Sequence, residues 1–319
     1  MDHVTLAIIG PREWVDSVGK KTTETIFSVH NLKRDDRIVS IISPSKYPEK
    51  IGSLLFTLYL ADRVYLKIDS IDRDLGEILI ALDLMDKGAG FKSIDDPTVR
   101  YRFDRIAGET AAGKYSDFDP NPAYLRESLF EIEAEDSHGD PLVIIDQAFN
   151  VKGVGCVALG FVKSGTIKKH QELKVYPGNK SIIIRSIQIQ DRDHTEAPRG
   201  SRVGLALKNI SHEDLPRGTC LAPEGSDIKV IDEFRGTFRI PKLYNEVIRP
   251  GSRFHVFISL QMIPCEVLEI EGTAQGSSFN SCRMRLRPES PFWHRPDHVI
   301  GLVYLDSKSF RFFGSGEIL

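Results

Sequence analysis

Residues 145–157 read IDQAFNVKGVGCV, and this stretch decides the fold that the sequence predicts. Apolar residues recur on both sides of Gly153 and Gly155. Glycine adopts backbone angles that other residues avoid, and it lets neighbouring strands approach closely. The stretch therefore predicts two adjacent strands of a small β-barrel joined by a tight turn.

The sequence around this stretch continues the same pattern of short apolar runs divided by turn residues. The turns are Ser164-Gly165, Pro177-Gly178 and Arg199-Gly200. The predicted strands are 143–145, 155–162, 182–189 and 202–207. Such closely spaced strands are typical of all-β domains. A first barrel is thus expected over 140–226, and a second over 232–319 from strands predicted at 254–260, 266–270, 282–287, 299–305 and 310–313.

Residues 1–135 have a different pattern, in which buried strands alternate with helical spacing. Strands are predicted at 4–9, 38–42 and 64–68. Helices are predicted around the apolar positions between Trp14 and Val29, at 51–59 and at 78–85, with a last helix at 123–132 and a polar hinge at 133–141. This alternation is typical of a parallel α/β sheet. The predicted architecture is an α/β domain followed by two all-β barrels.

Composition places the 319-residue chain among ordinary soluble proteins, since 41% of residues are hydrophobic and 27% are charged. The N-terminus is acidic, and the sequence contains no apolar run long enough for a signal peptide or a bilayer span. We therefore expect a cytoplasmic protein without a membrane partner. The four cysteines are far apart and the histidines occur singly, which favours buried thiols over disulfides or a metal site.

Charge is distributed unevenly along the chain. Residues 1–141 carry a net charge of −8, and residues 142–319 carry +5. The back half is therefore the better candidate for contact with a polyanion, although mild positive charge also serves solubility.

Residues 145–157 closely resemble the second domain of translational GTPases. The resemblance extends to Gly160, Ser164-Gly165, Arg185, the Gly200-Ser201-Arg202-Val203 segment and Pro216-Arg217-Gly218. It identifies the chain as a member of the elongation factor Tu class. It implies a P-loop GTPase-like α/β domain before the two barrels, and tRNA or the ribosome as partners.

Two positions favour the selenocysteine-specific branch of this class. Asp146 and Arg202 match the aspartate and arginine that line the aminoacyl pocket in that branch. An arginine fork can hold a carboxylate or selenolate, and the aspartate can orient it. The alternative is an ion pair between the two that braces the barrel. The additional C-terminal module of the selenocysteine-specific factors is expected to be absent.

The phosphate loop that the resemblance implies is degenerate. Such a loop needs G-x-x-x-x-G-K-[ST] after the first strand. Only Gly10 and Ser17 remain at their positions, because Val15 replaces the second glycine and Asp16 replaces the lysine. An aspartate there repels phosphate. The alternative Gly19-Lys20 pair leaves too long a gap between the glycines.

The other nucleotide motifs are degenerate as well. The connection predicted between the first helix and the next strand, 31–37, is too short for an effector loop. Ser43 and Lys46 stand in the segment where Asp-x-x-Gly-His is expected, and only Asp95 remains of the guanine-reading Asn-Lys-x-Asp. We therefore expect neither tight binding of GTP and Mg²⁺ nor hydrolysis.

A second G-x-x-x-x-G-K match occurs at 108–114, but Tyr115 follows it where Ser or Thr is required, and no helix is predicted to begin there. This segment is interpreted as a surface turn. Near the C-terminus, the alternation over 282–287 places Arg283, Arg285 and Arg287 on one face of a strand. They are candidates for RNA-backbone contact, the alternative being a solvated barrel face.

The sequence leaves three functional hypotheses open. The leading one is an elongation factor Tu-like protein without GTPase activity that binds tRNA or the ribosome, and no DNA. The first alternative is a diverged but active GTP-binding elongation factor. The second is a protein-interaction scaffold. The failed nucleotide motifs separate the first two hypotheses, whereas the sequence does not separate the first from the third.

Overall fold

The structure is a computed structural model that describes residues 2–35, 37–134, 138–276, 278–296 and 298–319. Part of the predicted hinge, residues 135–137, lies outside the described residues. None of the described helices has the length and apolarity needed to cross a membrane.

The α/β domain is built on a seven-stranded sheet in the order β2-β3-β4-β1-β5-β6-β7. Its elements are β1 (Asp2–Ile9), α1 (Arg12–Val18), β2 (Lys20–Glu24), β3 (Ser28–Arg34), β4 (Arg37–Ser43), α2 (Ile51–Leu60), β5 (Arg63–Lys67), α3 (Arg73–Leu84), β6 (Gly90–Ser93), α4 (Pro97–Ala107), β7 (Ser116–Asp117) and α5 (Pro122–Ser128). Strands β4, β1, β5, β6 and β7 run parallel, whereas β2 and β3 add an antiparallel hairpin at one edge. The predicted parallel α/β sheet is thus present, with this hairpin added.

The hairpin corrects two expectations. The first helix ends at Val18, not near Val29, and residues 31–34 belong to a strand, not to a loop. Lys20–Glu24 contains consecutive threonines, whose branched side chains favour strands over helices. Gly19 marks the change, because a Cβ there would lie 3.2 Å from Cβ of His30 on the neighbouring strand. The connection between α1 and β4 is therefore a folded hairpin.

Two elements near the end of the domain were not predicted, and a third is shorter than predicted. Helix α4 begins at Asp96, whose side chain accepts hydrogen bonds from the backbone of Thr98 and Val99. The two-residue strand β7 is too short to show periodicity. The last helix ends at Ser128 and continues as one 3-10 turn, Leu129–Glu131.

The second unit is a barrel of antiparallel strands. Its strands are β8 (Leu142–Val151), β9 (Gly155–Ser164), β10 (Thr166–Lys168), β11 (Glu172–Tyr176), β12 (Ser181–Ile189), β13 (Arg192–His194), β14 (Glu196–Pro198), β15 (Arg202–Lys208) and β16 (Cys220–Ala222). Strand β11 pairs with β16 on one side and with β12 on the other, which closes the ring β11-β16-β8-β9-β15-β12. Gly153 and Gly155 have φ angles of 81° and 93°, as the predicted turn requires.

The third unit contains a closed six-stranded barrel. Its elements are β17 (Lys229–Ile231), β18 (Phe234–Pro241), β19 (Arg253–Ile258), β20 (Gln261–Ala274), β21 (Phe279–Pro288), β22 (Phe292–His294), β23 (Ile300–Val303) and β24 (Phe312–Ile318). The barrel order is β18-β21-β20-β19-β23-β24. All four cysteines are buried free thiols, as expected. Phe292 and Trp293 are fully buried.

Helix α2 lies at the junction of the three units. Nine of its ten residues are buried, including Ser53 and Thr57. Its side chains belong to one hydrophobic cluster that continues into both barrels through Phe161, Phe257 and Trp293. Phe56 on α2 stacks on Phe257 with ring centroids 6.1 Å apart. A continuous core across the units favours one fixed arrangement.

Candidate functional site

The carboxyl ends of parallel strands are where open α/β sheets bind ligands, and here Lys67 occupies that edge. Gly10 follows β1, and a Cβ on Gly10 would lie 2.7 Å from Cβ of Lys67 at the end of β5. The Lys67 ammonium is 2.7 Å from the Asp69 carboxylate and 2.9 Å from that of Asp95. Burial alone would lower the pKa of Lys67, but the hydrogen bonds from these carboxylates outweigh it and raise the pKa. The cation is neutralised within the protein.

Aromatic side chains fill the neighbouring part of the same edge. Trp14 on α1 stacks on Tyr65 of β5, with ring centroids 5.2 Å apart, and its Nε1 donates to the Pro120 carbonyl at 2.9 Å. The Tyr65 hydroxyl donates to Ser93 Oγ at 2.9 Å. These contacts tie together α1, β5, β6 and the segment before α5.

Lys92 occupies the first position of the predicted guanine segment and is buried. Its ammonium donates to the carbonyls of Gly113 and Tyr115, so it fastens β6 to the segment before β7. That segment is the second G-x-x-x-x-G-K match, and its Gly113 and Lys114 lie in a 3-10 turn. The turn follows helix α4 and precedes a two-residue strand, which is not the strand-to-helix context of a phosphate loop.

Helix α1 is fastened to the hairpin by its polar face. Asp16 accepts a hydrogen bond from the buried His30 ring at 2.8 Å, which is the main reason that the Asp16 pKa is lowered. Arg12 pairs with Glu24 at 2.8 Å. Ser17 donates to the Trp14 carbonyl within its own helix, at 2.6 Å. The residues at the phosphate-loop positions therefore contact other protein groups.

Ser43 and Lys46 also make contacts within the domain. Ser43 is buried at the end of β4 and lies opposite Ser28 of β3. The Lys46 backbone N–H donates to Ser53 Oγ at 3.1 Å, and its ammonium is 3.8 Å from Glu24. Both residues stabilise the segment that leads into α2.

A cleft of about 960 Å³ separates the hairpin of the α/β domain from the first barrel. Cationic side chains line it from both sides, namely Lys20, Lys33, Arg185 and Arg202, against the two carboxylates of Asp191 and Asp193. Lys20, Lys33 and Arg185 are exposed. The cleft therefore has a positive balance and can attract an anionic ligand.

The barrel side of the cleft is apolar. Phe149 and Val151 of β8, together with Val157 and Leu159 of β9, line it. Phe149 lies opposite Val157, and it is 39% exposed. Their neighbours Cys156 and Ala158 point to the barrel core, so β9 is apolar on both faces. An apolar outer face with an accessible aromatic ring suits a flat ligand such as a nucleobase.

Asp146 and Arg202 have different partners from those expected. The Asp146 side chain is only 2% exposed, and its carboxylate accepts from Arg217 Nε at 2.9 Å. Burial raises the pKa of Asp146, and Arg217 and Arg202 partly offset this. Arg202 donates to Thr23 Oγ1 across the domain boundary at 2.7 Å. The bracing ion pair of this barrel is thus Asp146–Arg217, because the turn carrying Arg217 folds over β8.

The strand arginines share one face, as predicted, since Met284 and Leu286 between them are buried. Acidic side chains lie among them. Arg285 is 3.2 Å from Glu269, and Arg287 is 3.2 Å from Glu233. Among the described residues, Arg283 has no ion-pair partner. This face is therefore less positive than the sequence suggested.

Comparison with known proteins places this geometry in a family. Residues 155–222 match the family described as Elongation factor Tu domain 2. The chain is 32% identical over 272 residues to the uncharacterized protein MJ0325 of Methanocaldococcus jannaschii, covering 85% of this chain and 88% of that protein. It is 34% identical over 124 residues to the selenocysteine-specific elongation factor of the same organism, covering 39% of this chain and 26% of that factor.

A solved structure extends the likeness to the whole fold. The translation elongation factor SelB from Methanococcus maripaludis, in complex with the GTP analogue GppNHp, superposes with a TM-score of 0.83 at 19% identity, covering 100% of this chain and 79% of that one. The chain belongs to the elongation factor Tu-like translational GTPase family, near its selenocysteine-specific branch.

Within this family fold, the sequence pattern identified the domain-2 barrel but not the cleft beside it. The elongation-factor match covers β9 to β16, which include the apolar strand β9 and Arg202. The missing wall comes from Lys20, Thr22 and Thr23, which the sequence had assigned to a helix. One signal was available, because a strand that is apolar on both faces must be covered by something besides its own barrel.

Proposed function

We propose that this elongation factor Tu-like protein holds a single-stranded end of tRNA or of ribosomal RNA in the cleft and neither binds GTP tightly nor hydrolyses it. The observation that carries the proposal is the contrast between two sites. Protein side chains fill the sheet edge where the family places its nucleotide, whereas the cleft between the hairpin and the first barrel is open and cationic.

The residues at the sheet edge do not fit a nucleotide with Mg²⁺. Lys67 packs against Gly10, and its charge is already neutralised by Asp69 and Asp95. Asp16 adds a negative charge at the lysine position. Within the described part of the chain, no group of three or more His, Cys, Asp or Glu is arranged to hold a metal ion. We derive no reaction step through GTP.

The cleft has the two properties that single-stranded RNA sites combine. Its cations, Lys20, Lys33 and Arg185, can contact the phosphate backbone, and Phe149 offers a ring on which a base can stack. We infer that Arg202 lies at the end of the bound strand. The outer face of β21, with Arg283, Arg285 and Arg287, is a second candidate for the double-stranded stem. Glu233 and Glu269 weaken it, so the cleft supports the proposal better.

Calorimetry with GTP and Mg²⁺ tests the nucleotide half of the proposal. We expect no measurable heat of binding, which corresponds to a Kd weaker than about 1 mM, and no phosphate release. Lys67→Ala should not restore binding, because Asp16 and Asp95 remain. Micromolar binding with turnover would support the active GTP-binding elongation factor instead.

Small-angle scattering tests whether nucleotides move the domains. A ligand shifts an equilibrium only through different affinities for two states. Since the buried helix α2 links all three units and the sheet edge is filled, we expect the same radius of gyration with GDP, with a GTP analogue and without nucleotide. A reproducible difference between the nucleotides would contradict the fixed arrangement.

A further inference from the structure

One corner of the cleft is polar, and the contacts described above leave its groups unused. It lies where the turn between β12 and β13 meets the start of β15. Continuing the register in which Gln188 faces Gly204 places Gln190 opposite Arg202. Asp191 follows Gln190 in the turn, and both residues line the cleft.

Two buried donors in this corner lack an acceptor. Gln190 Nε2 and Arg202 Nε have no hydrogen-bond partner among the described residues. A buried donor without a partner costs free energy, so a ligand that supplies an acceptor is favoured there. Asp191 provides the opposite function, because its carboxylate is exposed to the cleft. Its charge also acts on the Arg202 guanidinium, whose pKa burial lowers and Asp146 and Asp191 raise.

The backbone of the turn is costly for these residue types. Gln190 and Asp191 have φ angles of 49° and 60°, and two-residue hairpin turns with positive φ usually carry glycine or asparagine. A glycine would lower this strain, yet it would remove the two side chains from the cleft. The strain is consistent with a use for both side chains.

Resting on the proposed function, we propose that Gln190, Asp191 and Arg202 recognise the terminal group of the bound RNA strand. Asp191 accepts from an N–H of that group, while Gln190 and Arg202 donate to an oxygen or nitrogen acceptor beside it. Asp146 does not take part, since Arg217 closes it. Two sources supply this chemistry. One is the edge of a terminal base that carries an amino group, and the other is an amino acid esterified to the strand.

Fluorescence anisotropy with short single-stranded RNA tests the proposal and separates the sources. The probes are one oligonucleotide with a 3′-terminal A, C, G or U, and the same strand carrying either an alanyl or an N-acetylalanyl ester. If the corner reads a base, the strand ending in U, whose base has no amino group, binds about tenfold more weakly or less. If it reads the ester, the alanyl form binds about tenfold more tightly than the N-acetyl and unacylated forms.

The variant Asp191→Asn should reduce whichever preference is found to within about twofold, because it replaces the charged acceptor while asparagine tolerates the left-handed turn. Asp193→Asn is the matched control. That carboxylate lies on the same hairpin but already accepts from Gln188 Nε2 at 3.0 Å, and the preference should persist. Binding of RNA without any preference, or a preference that Asp191→Asn leaves intact, overturns the inference and spares the proposed function. Absence of RNA binding by the wild type overturns both.

Discussion

Replacing Arg311 with alanine is expected to lower the free energy of unfolding by about 3 to 5 kcal/mol, the cost of breaking a buried ion pair. Arg311 lies before β24 in the third unit, and its Nε and backbone N–H both donate to Glu77 of helix α3, at 3.1 and 2.7 Å. Its Nη1 also donates to the Pro48 carbonyl at 2.7 Å. The variant leaves the Glu77 carboxylate buried without a counter-charge at the junction of two domains.

Urea unfolding followed by tryptophan fluorescence measures this loss, because Trp293 is buried in the core shared by the domains. Arg253→Ala is the matched control. Its partner Glu289 is 3.8 Å away, and both side chains are more than half exposed, so the expected change is below about 1 kcal/mol. Equal losses in the two variants would mean that the Glu77–Arg311 pair does not hold the domains together.

The pH dependence of the Arg311→Ala effect has a definite sign. Burial alone would raise the pKa of Glu77, but the hydrogen bonds from Arg311 outweigh it, and the pKa lies below the ordinary 4.5. The wild type therefore keeps this stabilisation above about pH 4.5 and loses it as the pH falls through the lowered pKa. The difference between wild type and variant should shrink on acidification. A difference that is independent of pH would argue that lost packing, not charge, explains the effect.

The triple replacement of Lys20, Lys33 and Arg185 with alanine is expected to weaken binding of single-stranded RNA by about 100-fold at 0.1 M salt. Each of these cations lines the cleft, and each lost phosphate contact removes about 0.7 from the logarithmic salt slope for a single strand. The slope should therefore decrease by about 2. Anisotropy titrations across a salt series give both quantities.

The comparison variant replaces Arg283, Arg285 and Arg287 with alanine, which removes the same number of cations from the outer face of β21. Because Glu233 and Glu269 already neutralise two of them, we expect a change of less than about threefold for a single strand. A larger effect from the strand arginines than from the cleft would assign the RNA to the third unit. If the wild type binds no RNA at low salt, the interaction scaffold is the better hypothesis.

Local patterns in the sequence were sufficient to predict the α/β domain and the two barrels. Turn chemistry placed Gly153 and Gly155 at positive φ, and alternation over 282–287 separated the arginines from Met284 and Leu286. Both signals depend on residues close together in the chain, which explains why they can be read without a structure. The hairpin at β2 and β3 was missed because apolar residues spaced through 14–29 imitate a helix.

The partners of the charged residues depend on distant parts of the chain, and local patterns carry no information about them. Asp146 and Arg217 are 71 positions apart, and the sequence suggested Arg202 as the partner instead. Lys67 reaches Gly10 and Asp95 only because β1, β5 and β6 lie side by side in the sheet. The cleft likewise exists only where the edge strand β2 faces the outer surface of the first barrel. By itself, the sequence determined the family and the loss of the nucleotide motifs. The tertiary structure decided which charges are neutralised and which remain exposed to a ligand, because charges separated along the chain meet only after folding.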